Sequence, residues 1–239
     1  MPNYFQASWK IKDAIRVLSV TVVLVLAMNV GAYFLVDKIE GFKMILGVFI
    51  LQSLILLCPL GVLSLKKFKK INLKELGFGS MKFFKYLSYA LAAYLIYIGL
   101  ALFISVIIVY GGLKIPGYQI PEQILPMFGG TTLALTVAGI IIVILAPIVE
   151  EVFFRGFLLQ SFASKIGWKY SAILTSAIFA VVHFRFESVI PIYILGIVMS
   201  VLFIRTRSIW PGIIFHIINN LIAFTLEILI MKGVIPLDF

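Results

Sequence analysis

Eleven residues, Ala146-Pro-Ile-Val-Glu-Glu-Val-Phe-Phe-Arg-Gly156, constrain this chain more than any other stretch. They set two adjacent carboxylates and an arginine into an apolar run whose preceding residues, Thr131 to Val149, carry no charge at all. An ionised side chain near the middle of a bilayer costs a few kcal/mol, so such residues are rare and mostly functional. Glu151 and Arg155 are four apart, so on a helix they share a face and can neutralise each other. Glu150 points about 100° away from Glu151, and the group that answers it must come from another helix.

Composition says what kind of fold can hold such residues. The chain has 239 residues, of which 62% are hydrophobic and 13% charged, and its mean hydropathy is +1.14. A soluble domain carries about 25% charged residues. The predicted class is all-α, a polytopic membrane helix bundle of about seven transmembrane helices, within a range of six to eight at roughly 20 residues each. A formal charge of +10 would suggest nucleic acid in a soluble protein. In a membrane protein it points to cytoplasmic loops facing anionic lipid, and no nucleic-acid partner is expected. Cys58 is the single cysteine, which excludes a disulfide framework and a cysteine metal site and leaves it as a small core or lipid-facing residue. The first apolar run is too long for a cleavable signal peptide and lacks a small-residue cleavage site.

Apolar runs predict spans at Val17–Val36, Met44–Leu65, Tyr86–Tyr110, Thr131 to about Phe162, Tyr170–Phe184, Val189–Ile204 and Ile214–Met231. Pro147 is expected to kink the fourth, and Pro211 fits the first turn of the last. Gly111–Gly130, with its prolines and glycines, reads as a connection lying on the membrane surface. Residues 1–130 form the N-terminal helices and loops, 131–231 the motif-bearing helices, and 232–239 a short tail. With the N-terminus inside, the inner segments hold fifteen of the twenty Lys and Arg residues, seven of them in the 66–85 loop. The outer segments hold Lys38, Lys43, Lys114, Arg185 and Lys232. That split predicts an integral protein of the cell membrane with a cytoplasmic N-terminus and an external C-terminus.

The two histidines both fall in predicted apolar helices. His183 ends Phe179-Ala-Val-Val-His183, and His216 opens His216-Ile-Ile-Asn-Asn220, which puts imidazole and amide on one helical face. A lone membrane histidine is most often a packing residue. Here the whole histidine content joins Glu150 and an asparagine pair, and buried polar groups in lipid need partners. Helix rise puts Glu150, His183 and His216 roughly 18, 20 and 10 Å from the inner boundary, which is compatible with one layer after modest tilt.

Glu150-Glu-x-x-x-Arg155, Phe179-x-x-x-His183 and His216-x-x-x-Asn220, in that order, resemble the three motifs of the CPBP or Abi family, which contains type II CAAX prenyl endopeptidases and bacteriocin-processing or self-immunity membrane proteins. The resemblance covers about Thr131 to Met231. It implies hydrolysis of a peptide bond in a membrane-associated protein or peptide substrate, such as a prenylated CAAX protein or a bacteriocin precursor. In that scheme Glu150 is the general base, His183 shares the water or its proton, and His216 and Asn220 stabilise the oxyanion. Glu151 and Arg155 support Glu150. A glutamate with two histidines would suit Zn2+ held by Glu150, His183 and His216. The absence of His-Glu-x-x-His, and the asparagine in the set, favour a metal-free water instead. The alternatives are a non-catalytic immunity or adaptor protein whose polar groups satisfy each other, and a proton-coupled transporter; no internal repeat is visible to support the latter.

Overall fold

The computed structural model describes residues 9–35, 41–66, 73–111, 125–128, 130–185 and 188–236. These residues are mostly helical and contain no strand. The helices are α1 (Ile11–Leu35), α2 (Gly41–Lys66), α3 (Phe83–Tyr110), α4 (Thr132–Val181), α5 (Val189–Thr206) and α6 (Trp210–Met231). Five of them, α1 and α3 to α6, are long and apolar enough to cross a membrane. The protein is therefore an all-α, polytopic membrane helix bundle.

Helix α4 runs 50 residues, about 75 Å at helical rise, and cannot stay straight within one bilayer. It breaks at Gly167, whose φ of 76° and ψ of 163° are open to glycine alone. The two arms, 132–166 and 168–181, correspond to the fourth and fifth expected spans. The first arm starts on Thr131, whose Oγ1 accepts the Ala134 N–H at 3.2 Å. Other boundaries move outward by a few residues, most at α1, which begins at Ile11 with Asp13 and Ala14 buried. Pro211 lies in the first turn of α6, as expected.

The chain forms two compact units. The first comprises Met1–Ile11, Asn72–Glu122 and Phe154–His216. Within it the second arm of α4 packs along α5, and α3 also packs against α5. Gly196 makes the α4–α5 approach possible: a Cβ there would lie 2.9 Å from Ser176 Cβ and 3.1 Å from Ser176 Cα. The segment 73–80 straps this unit. Glu75 O accepts from Gln160 Nε2 at 2.8 Å, Gly77 O from Ile209 N at 3.1 Å, and Gly79 O from Trp210 Nε1 at 3.1 Å.

The second unit comprises Lys12–Ile71, Gln123–Phe153 and Ile217–Phe239. Its core joins Leu125, Phe128 and Ala138 with Phe49, Phe224 and Ile228. That arrangement corrects part of the expected surface connection. Leu125–Phe128 is a 3₁₀ turn whose Leu125 and Phe128 are buried, because their apolar side chains fill the core while the Glu227 carboxylate accepts the Leu125 N–H at 3.1 Å. Most of 111–130, three of the loop lysines and the Cys58 side chain lie outside the described residues.

Gly196→Ala should lower the detergent-solubilised melting temperature, at about 1–3 kcal/mol for an overpacked contact against backbone. Gly99→Ala on α3, where nothing lies within 4 Å, should show no loss. Equal melting temperatures for the two variants would contradict the close α4–α5 approach.

Candidate active site

The first arm of α4 is not a uniform α-helix. Residues Ile140–Leu145 and Val152–Leu159 are π-helical, and the α-helical turn Ala146–Glu151 between them carries both glutamates. π-turns are rare and frequently mark functional sites. The first has a local cause. Proline cannot donate, and its ring collides with the carbonyl four residues back in a regular helix. Ahead of Pro147 the ladder widens instead, so that Ala146 N–H reaches Ile141 O, five residues back.

In that register the next donor would be residue 147 and its acceptor Ile142 O. Pro147 has no N–H, so the Ile142 carbonyl must be satisfied from elsewhere. Asn220 does this: its Nδ2 donates to Ile142 O at 2.9 Å. A carbonyl can only accept, which assigns the amide orientation. The other side of the amide is also held, because Asn219 Nδ2 donates to Asn220 Oδ1 at 3.2 Å. The sequence pattern marks Pro147 as a kink and Asn220 as a partner of His216 on one helical face, and does not link the two.

Glu150 and Glu151 differ in burial as their offset predicts. Glu150 is half-buried and Glu151 is fully buried. Both belong, with Asn220, to the second unit.

The first unit holds Arg155, His183 and His216, and the Phe179 ring joins them. Phe179 is fully buried. Its ring centroid lies 4.6 Å from the Arg155 guanidinium carbon, 4.6 Å from the His183 ring and 5.9 Å from the His216 ring. Phe154 meets it edge-on at 5.0 Å. Arg155, 1% exposed, also donates from Nη2 to Gly196 O at 3.0 Å, which the same carbonyl shares with Ser200 Oγ at 2.9 Å. A buried cation is thus met by a ring face and a carbonyl dipole.

His183 is a correction to the expected helix. The second arm ends at Val181, and His183 lies in the following turn, because Phe184 takes a left-handed φ of 52° and turns the chain away. Its Nδ1 lies 2.6 Å from Phe179 O. Since that oxygen accepts, Nδ1 carries the proton, and a neutral ring presents Nε2 as acceptor. His183 is half-buried, whereas His216, on the second turn of α6, is 3% exposed. Phe179 therefore does more than mark a motif: it is the common wall of both histidines and the anchor of one.

Among the described residues no group of three or more His, Cys, Asp and Glu side chains could hold a metal ion. Glu150 belongs to the second unit and His183 and His216 to the first.

Comparison with known proteins agrees with the motifs. Residues 132–222 match the model of the Rce1-like family, described as type II CAAX prenyl endopeptidase Rce1-like. A Bacillus subtilis (strain 168) protein named "Putative membrane peptidase YdiL" is 26% identical over 107 residues, covering 45% of this chain and 42% of that protein. An Escherichia coli protein named "Uncharacterized 24.3 kDa protein" is 31% identical over 80 residues, covering 31% of this chain and 37% of its own length. The chain thus spans less than half the length of these curated relatives. No solved structure matches it.

The link between Pro147 and Asn220 is testable by a double-mutant cycle. Asn220→Ala should destabilise the protein by about 1–3 kcal/mol, the cost of an orphaned buried carbonyl. In a Pro147→Ala background, which restores a backbone donor, the same substitution should cost clearly less. Additive losses of melting temperature would show that the two residues do not share that carbonyl. The candidate site residues Glu150, Glu151, Arg155, His183, His216 and Asn220 all fall inside residues 132–222, the segment that is similar to the Rce1-like type II CAAX prenyl endopeptidase family.

Proposed function

We propose that the chain is an intramembrane endopeptidase in which Glu150, His183, His216 and Asn220 act together on a water molecule and a peptide bond. The observation that carries the reading is the Phe179 arrangement. One buried ring backs both histidines, and its own carbonyl fixes the tautomer of His183. Packing alone does not call for a defined proton position on a half-buried imidazole.

In this mechanism the Glu150 carboxylate takes a proton from water, and the resulting hydroxide attacks the carbonyl carbon. His183 Nε2 accepts a hydrogen bond from the same water and orients it. The oxyanion receives hydrogen bonds from His216 and from the Asn220 amide proton not engaged by Ile142 O. Collapse breaks the C–N bond, and the proton held by Glu150 passes to the leaving nitrogen. Base catalysis of this kind contributes about 10²–10⁴-fold, and one oxyanion donor about 10²–10³-fold. Glu151 and Arg155, both fully buried, hold the helix that presents Glu150. The substrate is a membrane-associated protein or peptide, with a prenylated CAAX-type protein and a bacteriocin-type precursor as the two chemical candidates.

N-terminal peptide profiling of membranes from cells making either the wild type or Glu150→Gln tests the reaction. Peptides with new N-termini should be present with the wild type and fall at least about 10²-fold with the variant, at equal protein levels. Adding His183→Ala to Glu150→Gln should lower activity little further, because residues acting as a unit are non-additive. Identical profiles would favour an immunity, adaptor or transport role.

Orientation follows from charge. Arg155 is buried and is not a loop charge, so the inner excess becomes fourteen to five and still favours a cytoplasmic N-terminus in the cell membrane. In a Cys58→Ser background, Ser80→Cys should resist an impermeant thiol reagent added to intact cells, and Gly130→Cys should react. The reverse pattern would invert the topology.

A further inference from the structure

Helix α3 contains none of the motifs, yet its buried edge is chemically uneven. Tyr86, Ala90 and Ala93 are buried and Tyr94 and Tyr97 half-buried, while Leu91, Leu95, Ile96 and Ile98 are exposed in the manner of lipid-facing residues. Within one turn the inward edge passes from methyl groups to phenols. The Tyr94 and Tyr97 ring centroids lie 6.0 Å apart, and each lies 6.0 Å from the ring of Phe215, the residue before His216.

Tyrosine in a membrane helix normally sits at the interface, where its hydroxyl reaches water. These two stand 11 and 14 residues beyond Phe83 in a helix of 28 residues, about 16 and 21 Å along a length of about 42 Å. Mid-helix is where a hydroxyl most needs a protein or ligand partner. Among the described residues neither phenol oxygen has a hydrogen-bond partner. The rings are placed by Phe215, and among the described residues no group takes up the hydroxyls.

A segment that is to be cut at a peptide bond must leave its helical hydrogen bonding, which orphans its carbonyls in an apolar medium. In an extended chain, carbonyls pointing the same way recur every second residue, about 6.6 Å apart. Tyr94 and Tyr97, three residues apart with ring centroids 6.0 Å from each other, offer two hydroxyl donors on one edge of α3. We propose that Tyr94 and Tyr97 form a docking subsite for the main chain of an unwound membrane peptide, with their hydroxyls donating to alternate carbonyl oxygens. The proposal rests on the peptidase reading above and assigns α3 the task of holding the substrate beside His216.

The test uses the full chain with Glu150→Gln, which should bind without cleaving, in lipid nanodiscs. Two synthetic single-span peptides serve as probes, one Leu-rich with Gly-Pro-Gly at its centre and one Leu-rich throughout. Titration by fluorescence quenching should show tighter binding of the Gly-Pro-Gly peptide. Tyr94→Phe and Tyr97→Phe keep the rings and remove only the hydroxyls. Each should weaken that binding about threefold and the pair about tenfold, with unchanged melting temperature and no effect on the Leu-rich peptide. Equal affinity in Tyr and Phe forms, equal affinity for the two peptides, or no binding of either would overturn the subsite. Cleavage of the Gly-Pro-Gly peptide by the wild type is scored separately by mass spectrometry. Hydroxyl-dependent binding without cleavage would count against the peptidase reading and leave the docking subsite standing.

Discussion

Inside a bilayer a main-chain carbonyl has no water to turn to, and this single constraint explains why Asn220 is where it is. Pro147 removes one donor from α4, and the widened ladder before it leaves Ile142 O to be satisfied from another helix. Asn220 supplies the bond at 2.9 Å. A polar residue on α6 and a helix-breaking residue on α4 are therefore one device. The same amide retains a second proton that the Ile142 carbonyl does not take. Supporting Asn220 from both sides also fixes its direction, a precondition for stabilising charge at a defined point.

A comparable economy surrounds Arg155. A buried guanidinium could be answered by Glu151 alone, as helical spacing suggests. The structure adds the Gly196 carbonyl and the face of Phe179. Each addition depends on a small or flat neighbour: glycine at 196 allows α5 to come close, and the ring lets a cation lie 4.6 Å from its centre. Since the same ring backs His183 and His216, the cation and both imidazoles share one rigid support. Loss of Arg155 would disturb the wall of the histidines as well as the bond to the Gly196 carbonyl.

Much of this was legible in the sequence, and the illegible parts have physical causes. Apolar run length located the helices, because lipid imposes a fixed thickness. The break between the fourth and fifth segments was visible as a gap in hydropathy, although Gly167 makes it a bend within one helical run. The different burial of Glu150 and Glu151 followed from a 100° step. His183 was placed inside a helix because the pattern around it stays apolar, and apolarity does not reveal that Phe184 adopts a left-handed turn. The burial of Leu125 and Phe128 was hidden by prolines and glycines that normally signal an exposed loop. The hub role of Phe179 was hidden by its ordinariness: one phenylalanine among twenty-one carries no signal until its neighbours are known.

The π-turns are the deepest of these limits, because they change the rule by which faces are read. Each replaces four-residue closure by five-residue closure, in effect adding residues to the ladder without lengthening the pattern of apolar side chains. One added residue rotates everything after it by about 100° relative to a regular helix. Two such segments flank the short α-helical turn of Ala146–Glu151. Within that turn ordinary spacing holds, and the contrast between Glu150 and Glu151 survives. Beyond it the side chains of Phe154, Arg155 and Phe157 are all buried, a wider inward face than a regular 3.6-residue stripe provides. That width is what allows one helix to offer a cation and aromatic rings to the same core. A sequence read at constant period finds the residues of this site but not the breadth of the face that carries them.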